Sequence, residues 1–114
     1  MEINIRKRDG VTIFDIDGRI IGSDALRLKH LIDEQIVESE TGCVKIILNL
    51  GKVRIIDGSG LGAIVSTYMN TQKKGGRISL LNVTGDLNSL LVIAKLLTIF
   101  DRYNDEDEAI ASFN

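Results

Sequence analysis

The chain has 114 residues, with 14 Lys and Arg against 16 Asp and Glu, 44 % hydrophobic residues and few aromatic side chains. This size and composition predict a single domain, residues 1–114, that buries roughly two-thirds of its unfolded surface in one core, and they exclude a two-domain enzyme. The formal charge of −2 leaves no cationic surplus for a phosphate backbone. Direct binding of nucleic acid is therefore not expected.

Neither a disulfide nor a metal site is expected. Cys43 is the single cysteine and His30 the single histidine, and their spacing does not suit a shared metal ion. The N-terminus lacks the apolar segment of a signal peptide, and Lys95 interrupts the longest apolar run near the C-terminus. We expect a cytoplasmic protein that uses no metal or cofactor and does not insert into a membrane.

A hairpin and a helix are predicted at the start of the chain. Apolar and polar residues alternate on both sides of Asp9-Gly10, a dipeptide that readily supplies the positive φ of a tight turn. Ser23 and Asp24 then offer N-cap oxygens to a first amphipathic helix, whose apolar residues recur at helical spacing until Gly42.

Three further strands follow the hairpin. Residues 44–50 are almost continuously apolar, which is typical of a central strand buried on both faces, and a loop containing Ile55, Ile56 and Asp57 is expected after it. The next strand is predicted over residues 78–83. A short edge strand is predicted to include Ile99, Phe100 and Tyr103.

Three more helices are predicted between and after these strands. Residues 60–74 are predicted to form the second helix, which has one apolar stripe and ends at Gly75-Gly76. Residues 86–97 are predicted to form the third helix. The stripe consists of Leu61, Ile64, Val65 and Tyr68. Asn104 is the predicted N-cap of a last helix, so the acidic residues 105–108 are interpreted as capping that helix rather than as a binding tail.

The order of these elements predicts an α/β fold. Strands and helices alternate after the hairpin, so right-handed crossovers place the strands that begin near Val11, Val44 and Ile78 parallel to one another. We expect a mixed, mostly parallel sheet of four to five strands, with one antiparallel edge and about four helices.

The one unusual segment is Asp57-Gly58-Ser59-Gly60-Leu61-Gly62, directly before the second helix. Three glycines in five positions indicate a tight turn or a close approach of the backbone. By itself, Ser59 is interpreted as an ordinary helix N-cap.

Two enzymatic interpretations of this segment are weak. Gly58, Gly60 and Ala63 match a dinucleotide fingerprint, but Asp57 would face the pyrophosphate and Asn82 replaces the acid expected after the next strand. A serine nucleophile would need a general base, yet the spacing of His30 places it away from the apolar face of its helix. Cys43 is interpreted as a small core residue rather than a nucleophile.

Residues 53–68 resemble the signature of anti-sigma-factor antagonists, members of the STAS family (sulfate transporters and anti-sigma antagonists), in which Asp-Ser/Thr-Ser/Thr-Gly-Leu-Gly joins a strand to a helix. The resemblance extends along the chain to Gly18, Asn49-Leu50, Gly75-Gly76 and residues 96–100. It implies a single STAS domain with its helices packed mainly on one side of the sheet.

The resemblance also implies a function without catalysis. Family members of this kind bind an anti-sigma factor that is also a serine kinase, release a sigma factor, and are switched off when the kinase phosphorylates the residue that corresponds to Ser59. A serine/threonine phosphatase reverses the modification. Gly58 stands where the family usually has Ser or Thr, and Asn49 where Asp is frequent. These departures leave open a stressosome scaffold or the small subunit of a lipid ABC transporter.

The expected partner-binding surface is the glycine-rich segment and the exposed side of the second helix. That helix is expected to turn its polar side, opposite the apolar stripe, to solvent. The residues expected to contact the partner are Asp57, Gly58, Ser59, Gly60, Leu61, Gly62, Ser66 and Thr67.

Overall fold

The computed structural model describes residues 1–38, 44–83, 85–93, 95 and 99–113. One five-stranded sheet, in the order β1-β2-β3-β4-β5, forms the centre of the molecule. The elements in chain order are β1 (Glu2–Arg8), β2 (Val11–Ile20), α1 (Ser23–Glu38), β3 (Lys45–Ile56), α2 (Gly58–Lys73), β4 (Arg77–Leu81), α3 (Gly85–Ile93), β5 (Asp101–Tyr103) and α4 (Glu106–Ala111).

The strand directions confirm the predicted mixed sheet. β1 and β2 pair antiparallel, with Asp9 at φ 53° and Gly10 at φ 78° in the turn between them. The remaining neighbours, β2–β3, β3–β4 and β4–β5, are parallel. Positive φ at both turn residues matches the right-handed twist of the paired strands.

Each face of the sheet carries its own hydrophobic core. On the first face, Leu28 of α1, Ile64 of α2 and Leu87 of α3 are buried in one cluster with side chains from the sheet. On the second face, the short helix α4 covers a smaller cluster that includes Ile47 of β3. Because alternate residues of a strand point to opposite faces, β3 is buried on both sides, as its continuous apolar sequence predicts.

β3 is longer than its apolar run indicates. Ile55 and Ile56 were expected in a loop, and this expectation is wrong, because both pair with β2 beyond two register shifts, one after Asp15 and one after Gly18. At each shift β3 has one more residue than β2, and the pairing resumes beyond it. As a result, β3 leads directly to Asp57.

The C-terminal boundaries also differ from expectation. Phe100 precedes β5 and stacks edge-on against Tyr68, with ring centroids 5.1 Å apart. Asp105, rather than Asn104, caps α4, since its carboxylate accepts a hydrogen bond from the Asp107 N–H at 2.9 Å.

β4 is shorter than predicted, because it ends at Leu81, where Asn82 turns to φ 56°. The predicted ends of the first and third helices and the environment of Cys43 lie outside the described residues.

Ion pairs hold α4 against the hairpin. Arg6 contacts both Asp15 and Glu106, and Arg8 contacts Glu106 at 2.7 Å and also Asp107. The hydrogen bond from Arg6 lowers the pKa of Glu106, and Arg8 contributes in the same direction. The acidic run therefore both caps α4 and fastens it to β1.

Replacing Glu106 with Gln should destabilise the fold in a pH-dependent way. We expect Glu106→Gln to lower the free energy of unfolding by about 1 kcal/mol at neutral pH, as for a favourable partly exposed ion pair. Because folding lowers the pKa of Glu106, its contribution is complete above the unfolded pKa and is lost as the pH falls through the folded pKa. Urea unfolding should therefore show the difference between the two proteins shrinking as the pH falls below the ordinary pKa of a glutamate, about 4.3.

Glu108→Gln is the matched control, because Glu108 is an exposed acid in the same first turn and makes no ion pair within the described part of the chain. Equal destabilisation by both substitutions at neutral pH would contradict a specific role of Glu106.

Candidate functional site

The glycine-rich segment is a strand-to-helix junction that Asp57 organises. Asp57 follows β3 in an extended conformation, and its Oδ1 accepts a hydrogen bond from the Gly60 N–H at 2.9 Å. Its backbone carbonyl oxygen accepts from the Leu61 N–H at 2.9 Å. Asp57 is therefore the N-cap, and the expectation that Ser59 caps the helix is wrong. Ser59 is the second residue of α2 and is exposed.

Gly60 allows α2 to approach the sheet closely. A Cβ atom at this position would clash with the Ile20 carbonyl oxygen and with Cγ1 of Ile56. Gly58 and Gly62, in contrast, have no atom within 4 Å of such a position. The predicted close approach thus occurs at Gly60, whereas Gly58 and Gly62 are open to solvent.

Replacing Gly60 and Gly62 separately with Ala should distinguish the tightly packed glycine from the exposed one. Gly60→Ala must displace backbone atoms and should destabilise the protein by about 1–3 kcal/mol. Gly62→Ala adds a methyl group in open space within a helix, where Ala is preferred by about 0.8–1 kcal/mol, and should be neutral or stabilising. Thermal unfolding of both variants measures the difference, and equal melting temperatures would contradict the close approach.

The apolar stripe predicted for α2 packs on the core, but the buried face of the helix also includes residues outside that stripe. Ile64 is fully buried, and Leu61, Val65 and Tyr68 are half-buried against the first core cluster. Thr67 was expected on the exposed partner-binding side, and this is wrong, because it is fully buried and its hydroxyl donates to the Ala63 carbonyl oxygen at 2.8 Å. Thr71 is buried in the same way, bonded to the Thr67 carbonyl oxygen at 2.7 Å. A threonine whose hydroxyl is satisfied within its own helix can occupy a core position. Thr67 is therefore not a partner contact.

An open groove runs along the outer side of α2. Its volume is about 540 Å³, and Gly58, Leu61, Gly62, Val65, Ser66, Met69, Asn70 and Lys73 line it. Leu61 and Val65 are half-buried, while Met69 is 52 % exposed. Met69 was missed by the sequence interpretation because it lies outside both the glycine-rich segment and the predicted stripe. We call this surface the α2 groove.

A second depression lies between α1 and α2, and Ser59 borders it. It encloses about 240 Å³ and is lined by Gly22, Ala25, Leu26, Lys29, Ser59, Gly62 and Ala63. Leu26 is 58 % exposed and adds apolar surface beside Ser59. The residues from α1 were not expected at this site, because only the folded structure brings the two helices together. We call this depression the α1–α2 cleft.

Asn49 lies on the opposite face of the sheet, in a polar network. Its Nδ2 donates to Asp15 Oδ1 at 2.8 Å, and its Oδ1 accepts from the Gly51 N–H at 3.2 Å. Burial raises the pKa of Asp15, but hydrogen bonds from Arg6 and Asn49 outweigh it and hold that pKa below its usual value. An aspartate at position 49 could not donate to Asp15 while both are ionised. Asn49, which stands where the family frequently has Asp, therefore makes a hydrogen bond in this network that an ionised Asp could not make.

The histidine considered as a general base for Ser59 lies in a different depression. His30 is exposed and borders a surface depression with Asp33, Glu34 and Val37, and none of these four residues lines the α1–α2 cleft that Ser59 borders. Within the described ranges, no three His, Cys, Asp or Glu side chains are arranged to hold a metal ion. None of the helices in those ranges has the length and apolar character needed to cross a bilayer.

Comparison with known proteins identifies the family. The family model described as "STAS domain" matches residues 2–109, and the chain therefore belongs to the STAS domain family. The chain is 27 % identical over 110 residues to an anti-sigma F factor antagonist from Paenibacillus polymyxa, covering 96 % of this chain and 92 % of that protein.

Solved structures confirm the expected STAS fold. A candidate anti-sigma factor antagonist from Thermotoga maritima matches with a TM-score of 0.87 and 22 % identity, over 97 % of this chain and 93 % of that chain. The Bacillus cell fate determinant SpoIIAA in its phosphorylated form matches with a TM-score of 0.77 and 19 % identity, over 99 % of this chain and 100 % of that chain.

Proposed function

We propose that the protein is an anti-sigma factor antagonist that binds its partner through the α2 groove and is switched off by phosphorylation of Ser59. The observation that carries the proposal is an exposed serine in the first turn of α2, directly beside an open apolar groove on a STAS fold. The name of the Paenibacillus polymyxa relative supports the antagonist function. The proposal places the protein in the cytoplasm and gives it no catalytic role.

The groove has the properties of a protein-docking surface. Leu61, Val65 and Met69 offer apolar contact area, and the flexible Met69 side chain can adapt to a partner. Gly58 and Gly62 carry no side chain, so a partner can approach the backbone of α2 closely. Ser66 lies in the same groove and can form hydrogen bonds with the partner.

Phosphate on Ser59 would oppose this docking. It adds about −1.5 to −2 charges at neutral pH, two residues after the Asp57 carboxylate. Unit charges about 5 Å apart at an effective dielectric constant of 20 repel by roughly 3 kcal/mol. Water screens this repulsion in the free protein, whereas a partner that buries the junction removes the screening and must also desolvate the phosphate. We therefore expect affinity to fall by about a hundredfold or more. The proposed partners are an anti-sigma factor with serine kinase activity and a serine/threonine phosphatase that restores binding.

The switch is tested with the kinase partner, ATP and three proteins. We expect mass spectrometry to find phosphate on Ser59 in the wild-type protein and in Ser66→Ala, and none in Ser59→Ala. Calorimetry should show that Ser59→Ala binds like the wild type and that the phosphorylated protein binds about a hundredfold more weakly. Phosphate on Ser66 instead, or full affinity of the phosphorylated protein, would remove Ser59 as the switch.

The docking surface is tested with a bulky side chain in the groove. Gly62→Leu should weaken partner binding at least tenfold while the domain stays folded, because the new side chain projects into open space. Gly85→Leu is the matched control, since Gly85 is also an exposed helical glycine with no atom within 4 Å of a Cβ, but lies on α3. Unchanged affinity of folded Gly62→Leu would place the interface elsewhere.

The identity of the captured partner distinguishes the remaining family roles. Retention of an ATP-dependent serine kinase that also binds a sigma factor is expected. A large scaffold assembly, or the ATPase of a lipid transporter, would overturn the proposal in favour of those roles.

A further inference from the structure

We propose that Lys29 is the cation that binds the phosphate on Ser59, by exchanging its ion pair with Asp33 for one with phosphoserine across the α1–α2 cleft. This inference rests on the proposed modification of Ser59 and adds to it a residue on a different helix. It assigns to the cleft the function of holding the phosphate in one position.

The cleft brings the two side chains to one depression. Lys29 lies one helical turn after Ala25 on α1, and Ser59 lies one turn before Ala63 on α2; all four residues line the cleft. Lys29 is the one ionisable side chain among the described residues that form its walls. An anion attached to Ser59 therefore meets a single cation within the depression.

The present ion pair of Lys29 is suited to exchange. Its Nζ lies 2.9 Å from Asp33 Oδ2, within one helix, and the two side chains are 33 % and 31 % exposed. Such partly exposed pairs four residues apart are weak, because water screens them. A phosphate dianion carries more charge than a carboxylate and offers three acceptor oxygens to the three donors of an ammonium group.

The exchange leaves the contact between the helices in place. Asp33 also accepts a hydrogen bond through Oδ1 from Nδ2 of Asn70 on α2, at 3.4 Å. Asp33 therefore keeps a polar partner when Lys29 turns toward the phosphate. Gly22 and Gly62 leave open space in the cleft, so the phosphate can enter without moving the backbone.

Binding by Lys29 would also strengthen the switch. A phosphate held between α1 and α2 stays beside the α2 groove, because Gly62 lines both depressions. A partner cannot displace it into solvent without breaking the new ion pair. The switch then depends on the position of the phosphate as well as on its charge.

The experiment measures the phosphate directly and needs no kinase. Protein with phosphoserine incorporated at position 59 during translation is titrated by phosphorus NMR, in the wild type and in Lys29→Gln. A neighbouring cation favours the dianion, so Lys29→Gln should raise the second pKa of phosphoserine by about 0.5. Asp33→Asn releases Lys29 from its present partner and should lower that pKa.

Two controls keep the result specific. Lys52→Gln makes the same change of charge on the opposite face of the sheet and should leave the phosphoserine pKa unchanged. Lys29→Arg keeps the cation and should behave like the wild type. The carboxylates of Asp57 and Asp24 are present in every variant and act equally in all of them.

The inference is overturned if Lys29→Gln leaves the phosphoserine pKa unchanged, or if Lys52→Gln shifts it equally. These outcomes are independent of the proposed function. Failure of a kinase to modify Ser59, or of phosphate to weaken partner binding, would refute the proposed switch while leaving the titration result intact.

Discussion

The close approach of α2 to the ends of β2 and β3 is the constraint on which the rest of the site depends. At Gly60 the helix lies so near the Ile20 carbonyl oxygen that no side chain fits between them. Asp57 then caps the helix immediately after β3, which fixes where α2 starts and how it is rotated. Ser59 is exposed because it is one residue away from this tightly packed position.

The same packing determines which side of α2 is exposed. Ile64, two small residues and two threonines form the buried face, where Thr67 and Thr71 bond to carbonyl oxygens of their own helix. Leu61 is half-buried against the core and Met69 is exposed, and both line the α2 groove. The apolar surface that remains exposed in this groove is the reason for proposing it as a docking site, since exposed apolar patches mark interaction sites.

The second face of the sheet is polar and charged at one end and apolar at the other. Arg6 connects Asp15 to Glu106, and Asn49 extends the network from Asp15 into β3. This network holds α4 over its small apolar cluster, on the side of the sheet away from Ser59. The residues that stabilise the second face are therefore separate from the proposed docking surface on the first.

The sequence by itself determined the fold, because the signals for it are local. The turn at Asp9-Gly10, the apolar run of β3 and the helical spacings each depend on neighbours within one element, and the order of elements then restricts the topology. Only the tertiary structure decided that Thr67 is buried, that β3 reaches Asp57, and that Lys29 shares a cleft with Ser59. Each of these depends on groups from elements distant in the chain, and the spacing of residues within one element does not specify how far two elements approach or how they are rotated.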